Sequence, residues 1–138
     1  MSRSTDTLTV RIPVLGRPLR MLIVDDSNIM RRRIERSQQI DRIEVVGLAS
    51  NGFEAVELFR STDPDIVTMD ITMPEMDGIE CVARLVAMKP HVLILVISAL
   101  ADKATAVEAM EKGANGFLNK PFTDRQLNDA LVELLAGG

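Results

Sequence analysis

Short apolar runs recur along the chain: Met21-Leu22-Ile23-Val24, Ile43 to Ala49, Ile66-Val67-Thr68-Met69 and Val92 to Ile97, with a weaker fifth at Phe117-Leu118. They are rich in β-branched residues and do not alternate with polar positions, as in strands covered on both faces. Helical spacing fills the intervals. Ile79, Val82, Ala83 and Val86 follow i, i+3, i+4, i+7, and so do Leu127, Ala130, Leu131 and Leu134. Ala55-Val56-Phe59 and Ala106-Val107-Met110 make shorter stripes, and Met30 with Ile34 marks a helix after the first strand. Asn51 stands three residues before Glu54, and Ser27 and Thr123 stand at two other helix entries, as capping residues do. Gly113 is placed to end the fourth helix. Five strands alternating with five helices predict an α/β fold with a parallel sheet and helices on both faces.

Residues 1–18 differ from the rest. They are rich in Ser, Thr, Arg and Pro, and Leu8-Thr9-Val10-Arg11-Ile12 alternates as a short strand does. A loose tail is the plainer expectation, an extra edge strand or binding arm the sharper one. The remaining 19–138 is the length of one domain. Hydrophobic residues make up 46% of the chain, enough for a core, and the only aromatic residues are four Phe, so that core is aliphatic.

Charge and cysteine content narrow the function. A net charge of −4 speaks against a nucleic-acid binder. The one basic run, Arg31-Arg32-Arg33, reads as a solvated helix face. A single cysteine, Cys81, allows no internal disulfide, no apolar stretch is long enough to span a bilayer, and Thr5-Asp6-Thr7 stands where a signal peptide would be apolar. A soluble cytoplasmic protein without membrane insertion is expected.

The polar residues at the ends of the runs carry the chemistry. The first run ends in Asp25-Asp26, the third in Asp70 and the fourth in Ser98; the fifth is followed by Asn119-Lys120-Pro121. In a doubly wound sheet the C-terminal strand ends share one edge, where ligands bind. Three carboxylates, a hydroxyl and an ammonium are thus expected in one crevice. At about 5 Å and an effective dielectric near 20, each carboxylate pair costs roughly 3 kcal/mol. A raised pKa on one acid, or a bound hard cation such as Mg2+, relieves that cost. One aspartate after one strand is commonly a helix cap; the convergence of several strand ends is what points to a site.

These residues carry a resemblance. Leu22-Ile23-Val24-Asp25-Asp26-Ser27, Asp65 through Met69-Asp70-Ile71-Thr72-Met73-Pro74-Glu75-Met76-Asp77-Gly78, Ile97-Ser98-Ala99 and Gly113 through Asn119-Lys120-Pro121-Phe122 resemble the receiver domain of two-component response regulators, particularly the stand-alone chemotaxis regulators. The likeness covers roughly residues 19–136. It implies a flavodoxin-like, five-stranded sheet of order 2-1-3-4-5, the order for which the doubly wound family is known. It also implies roles. Asp70 is similar to the phospho-accepting aspartate, which takes its phosphoryl group from a histidine kinase. Asp26 is similar to the direct Mg2+ ligand, Asp25 to one acting partly through water, and Thr72 to the position whose backbone carbonyl joins Asp70 in holding the metal. Lys120 would pair with Asp70 at rest and with phosphoryl oxygens afterwards. Ser98 and Phe117 match the switch hydroxyl and switch aromatic, and Lys120-Pro121 matches a cis peptide. Ser98 stands for the commoner Thr and Phe117 for the frequent Tyr. Thr72 and Leu100 occupy positions that vary the phosphoryl lifetime, and a bulky Leu100 implies slow to moderate self-dephosphorylation.

Such a module is not an enzyme beyond its own phosphorylation and dephosphorylation. Since the sequence stops at Gly138, it is expected to signal by docking, through the surface of the fourth helix, fifth strand and fifth helix (102–113, 116–119 and 123–136), in chemotaxis or flagellar motor control. A phosphorelay intermediate and a phosphorylation-independent binding module are the alternatives. A haloacid dehalogenase-like phosphatase lacks its second acid, because Thr72 stands there, and a nucleotide site lacks its glycine-rich turn after the first strand. His91 reads as a loop residue at the opposite edge from the acids.

Overall fold

The computed structural model describes residues 16–72, 76–99 and 102–137. Among these, five strands form one parallel sheet of order β2-β1-β3-β4-β5: β1 Leu19–Val24, β2 Ile43–Ala49, β3 Ile66–Met69, β4 Leu93–Ser98 and β5 Gly116–Asn119. The helices between and after them are α1 Asn28–Ser37, α2 Gly52–Thr62, α3 Gly78–Met88, α4 Lys103–Glu111 and α5 Asp124–Gly137. The expected tail or edge strand over Leu8–Ile12 and the lifetime position Leu100 lie outside the described residues.

Alternation along the central strands divides the core into two layers. Leu22, Val24, Val67, Met69, Ile94 and Val96 pack against Ala55 and Phe59 of α2, Cys81, Val82 and Leu85 of α3 and Ala109 of α4. Met21, Ile23, Ile66, Leu95 and Ile97 face the other way, against Ile34 of α1 and Leu127, Leu131, Leu134 and Leu135 of α5. Near-continuous apolar runs are what a strand covered on both faces requires. The two edge strands depart from that expectation: much of β2 and the Gly116–Leu118 stretch of β5 are only half-buried. An edge strand has a neighbour on one side only, so its side chains stay partly in water.

Local chemistry sets where the helices begin and end. The side chains of Ser27, Asn51 and Thr123 each accept the backbone N–H three residues on, from Met30, Glu54 and Gln126. Asp77 and Asp102 cap α3 and α4 in the same way, accepting from Glu80 and Thr105. Each such cap satisfies one orphan donor of the first turn. Gly113 follows α4 with φ +117, in the left-handed region where a side chain is strained, and its amide donates to Met110. Across each parallel pair the chain returns through a helix that runs opposite to the strands. The strand C-termini and the N-termini of the helices therefore meet at one edge of the sheet.

The opposite edge is held by charges. Arg17 reaches Asp65 through both guanidinium nitrogens, at 2.9 and 3.3 Å, the Arg20 amide donates to the same carboxylate, and Lys89 lies 3.1 Å from Asp63 and 3.5 Å from Asp65. His91 is exposed at this edge, in the turn before β4.

Candidate functional site

Asp25 and Asp70 follow β1 and β3, which are adjacent and in register from Met21↔Ile66 to Val24↔Met69. The Asp70 amide donates to Val24 O, so the two acidic residues leave the sheet side by side. Both are deeply buried, with 1% and 2% of their surface exposed, whereas Asp26 is exposed. One carboxylate oxygen from each of the three lies within 4.8 Å of the others. Two buried acids and one open to solvent make a crevice with a wet mouth.

Each acid is held by local bonds. Thr72 donates both its backbone N–H (3.0 Å) and its hydroxyl (2.9 Å) to Asp70 Oδ1. The other oxygen, Oδ2, faces the Lys120 ammonium at 3.6 Å. Asp25 accepts from the Ser27 amide at 2.9 Å and from Lys120 Nζ at 2.7 Å. Burial pushes the Asp25 carboxyl above the usual carboxylate range; Lys120 and the Ser27 amide pull it back, and the nearby Asp70 charge pushes with burial. The ammonium is thus paired with Asp70, as the resemblance implies, and lies nearer still to Asp25.

Lys120 is 84% shielded at its side chain and sits just beyond β5. Its amide donates to the Ser98 carbonyl, and the Lys120–Pro121 peptide is cis. Ser98 is the last residue of β4, fully buried, and lies opposite Asn119 in the β4–β5 register. Phe117 is half-buried and packs against the α2–α3–α4 layer. The structure therefore gathers Asp25, Asp26, Asp70, Thr72 and Lys120 at the crevice, puts Ser98 at its wall, and leaves Phe117 one strand pair further along. Gly78 closes the floor: a Cβ there would collide with the Asp70 carbonyl oxygen and Ile71 Cα.

The expectation for Arg31-Arg32-Arg33 needs correction. Only Arg32 is solvated. Arg31 donates to the Asp25 carbonyl at 2.6 Å and to Asn28 Oδ1 at 3.3 Å. Arg33 donates to the Phe122 carbonyl, lies 4.7 Å over the Phe122 ring and stands 3.8 Å from Asp124. A run of three arginines covers more than half a helical turn, so its members cannot share one environment. Asn128 was also missed: its amide donates to Ser37 O, and its oxygen accepts from the Gln39 amide, tying the end of α1 to α5.

The model of the response regulator receiver domain matches residues 21–132. The chain belongs to this family. It is the receiver domain of a two-component response regulator, with the sheet order its resemblance implied. It is 43% identical over 113 residues to chemotaxis protein CheY of Listeria monocytogenes, covering 82% of this chain and 95% of that one. It is 44% identical to the CheY of Thermotoga maritima, covering 81% and 93%. Among solved structures, the response regulator domain of Thermotoga maritima CheB aligns with a TM-score of 0.76 at 36% identity, over 88% of this receiver and 96% of that chain. The CheX–CheY–BeF3–Mg2+ complex of Borrelia burgdorferi aligns with a TM-score of 0.82 at 30% identity, over 91% and 96%. The receiver's cluster of Asp25, Asp26 and Asp70 has the composition of a metal site. No helix of the described residues is long and apolar enough to cross a membrane.

Proposed function

We propose that Asp70 accepts a phosphoryl group from a histidine kinase, with Mg2+ held by Asp25, Asp26, Asp70 and the Thr72 backbone carbonyl. The observation that carries this reading is the Asp70 carboxylate itself: buried, fixed at one oxygen by two Thr72 donors and facing an ammonium with the other. An all-oxygen donor set suits a hard cation, and the three carboxylates, with one oxygen from each within 4.8 Å of the others, are the residues that would hold it. Bound there, Mg2+ supplies positive charge that offsets the three acids and the phosphoryl oxygens.

In the reaction, one Asp70 oxygen donates an electron pair to phosphorus and forms an acyl phosphate. The bond between phosphorus and the donor breaks, and its electron pair leaves with the donor. The chain's own residues orient and neutralise. Thr72 fixes the rotation of the carboxylate, Lys120 meets the phosphoryl oxygens, and the buried setting strengthens both. Ser98 and Phe117 serve as the switch pair, the hydroxyl closing on the phosphoryl group and the ring following it. The relatives named CheY support a role in chemotaxis or flagellar motor control, with the target docking on the α4–β5–α5 face. On this reading the module works in the cytoplasm and catalyses only its own phosphorylation and slow dephosphorylation.

The test is a titration with acetyl phosphate, with and without Mg2+, followed by intact mass. One added phosphoryl group that requires Mg2+ and disappears in Asp70→Asn is the expected result. No mass shift under any condition overturns the assignment. Unaltered partner binding by Asp70→Asn favours a phosphorylation-independent module, and transfer from phosphorylated protein to a second histidine protein favours a relay.

A further inference from the structure

The loop that carries Lys120 is held from two sides, and one of them is helix α1. On the β4 side the Lys120 amide bonds to Ser98 O. Two residues on, the Phe122 carbonyl accepts from the Arg33 guanidinium, which also covers the Phe122 ring at 4.7 Å and faces Asp124 at the start of α5. One planar guanidinium thus meets the carbonyl and the ring face of Phe122 and the carboxylate of Asp124, where the loop runs into α5. A lysine, with a compact point charge, cannot hold all three. Phe122 is itself buried, so the grip is on a part of the loop that does not slide.

The platform behind Arg33 is fixed as well. Helix α1 follows directly on Asp25-Asp26, Arg31 binds the Asp25 carbonyl, Ile34 is in the core, and Asn128 ties the far end of the helix to α5. The same short helix is therefore joined to the acids through the chain and to the ammonium loop through Arg33. Between these two attachments lies the 2.7 Å contact of Lys120 with Asp25.

We propose that Arg33 is a positioning residue for Lys120, setting the place of the ammonium in the crevice through the Phe122 backbone. The inference builds on the proposed role of Lys120, but its first test does not use phosphorylation. Lysine side chains are reductively methylated in limiting reagent without metal, and each site is followed by peptide mass. Arg33→Met is expected to speed labelling of Lys120 by roughly fivefold or more, because a group released from its partner spends more time open. Lys89, half-buried at the opposite edge, and exposed Lys103 and Lys112 should be unchanged. Arg33→Lys should fall between the two proteins. Unchanged labelling at Lys120, or an equal rise at Lys89, overturns the proposal; the second pattern means that the whole fold has loosened.

A second measurement reads the consequence. With acetyl phosphate, which has no protein surface to dock, Arg33→Met is expected to slow phosphorylation about tenfold, since a misplacement of about 1 Å at a reacting centre can cost a hundredfold and a partial release costs less. In a Lys120→Met background the same change should have little further effect. Full multiplication of the two losses, or a loss seen only with a kinase donor, overturns the positioning role. A wild-type protein that takes no phosphoryl group overturns the function of Asp70 and leaves the labelling experiment to decide the clamp.

Discussion

Replacing Asp70 by Asn removes one charge from the acid cluster with little change of shape. The Asn side-chain oxygen can keep both Thr72 donors now held by Oδ1. At 4.8 Å and an effective dielectric near 20, Asp70 repels each of the other two acids by about 3.5 kcal/mol. Asp26 is exposed, and solvent screening cuts its share by about half. Against this stands the attraction of Lys120 at 3.6 Å, about 4.6 kcal/mol on the same footing. The balance is a net push of roughly 0.6 kcal/mol, which Asn relieves, while Lys120 keeps its shorter bond to Asp25. In chelator, Asp70→Asn is therefore expected to melt about 2–3 °C above wild type. Magnesium should reverse the order. A ligand at a hundred times its dissociation constant stabilises by about 2.7 kcal/mol, and the variant lacks one of the proposed metal ligands. Thermal and urea unfolding with and without Mg2+ check both halves. A variant less stable than wild type in chelator, or curves that never cross as Mg2+ rises, would refute the electrostatic reasoning.

Gly78→Ala should cost about 2–3 kcal/mol and abolish phosphorylation, because the new methyl displaces the Asp70 carbonyl; wild-type denaturation and labelling would contradict the close contact. Thr68→Val should stabilise by about 1 kcal/mol, since Thr68 Oγ1 is buried without a hydrogen-bond partner among the described residues; a loss in urea midpoint would count against this. Burial alone would raise the Asp65 carboxyl, but Arg17, the Arg20 amide and Lys89 outweigh it and hold it below the usual range. Its stabilising contribution is complete above the ordinary aspartate value near ~3.9 and fades as pH falls through the depressed one. Arg17→Ala should accordingly be less stable than wild type at pH 7, with the gap closing in acid; a gap of equal size at both ends is the contrary result.

Much of this was legible along the chain because it depends on neighbours in sequence. The runs Ile43–Ala49 and Ile66–Met69 coincide with β2 and β3, and Ser27, Asn51 and Thr123 cap helices as their spacing implied. The convergence of Asp25, Asp26, Asp70 and Lys120 followed from topology, since parallel strands deliver their C-terminal residues to one edge. What was not legible depends on distance. Arg33 meets a carbonyl 89 residues away and Asn128 meets Ser37 91 residues away. No periodicity announces such partners, and a triplet of arginines looks the same whether it faces water or a backbone carbonyl. The choice of Lys120 between Asp25 and Asp70 is likewise a matter of a fraction of an ångström, set by how the loop leaves β5.

The two edges of the sheet differ in their charge balance, and this gives the molecule a polarity along its strands. At the foot, Asp63 and Asp65 stand among Arg17, Arg20 and Lys89, so acids and bases nearly cancel. At the top, Asp25, Asp26 and Asp70 confront Lys120, with Arg31 bound to the chain beneath. The surplus negative charge lies in the crevice, with Asp26 at its mouth. A field of this shape draws cations inward and turns anions away. On the proposed function the phosphodonor is an anion, and this field would oppose its approach until a cation had gone in first. Under that reading the arrangement would favour an order of arrival, metal before donor, and would make the ionic state of the surroundings a precondition for receiving a signal.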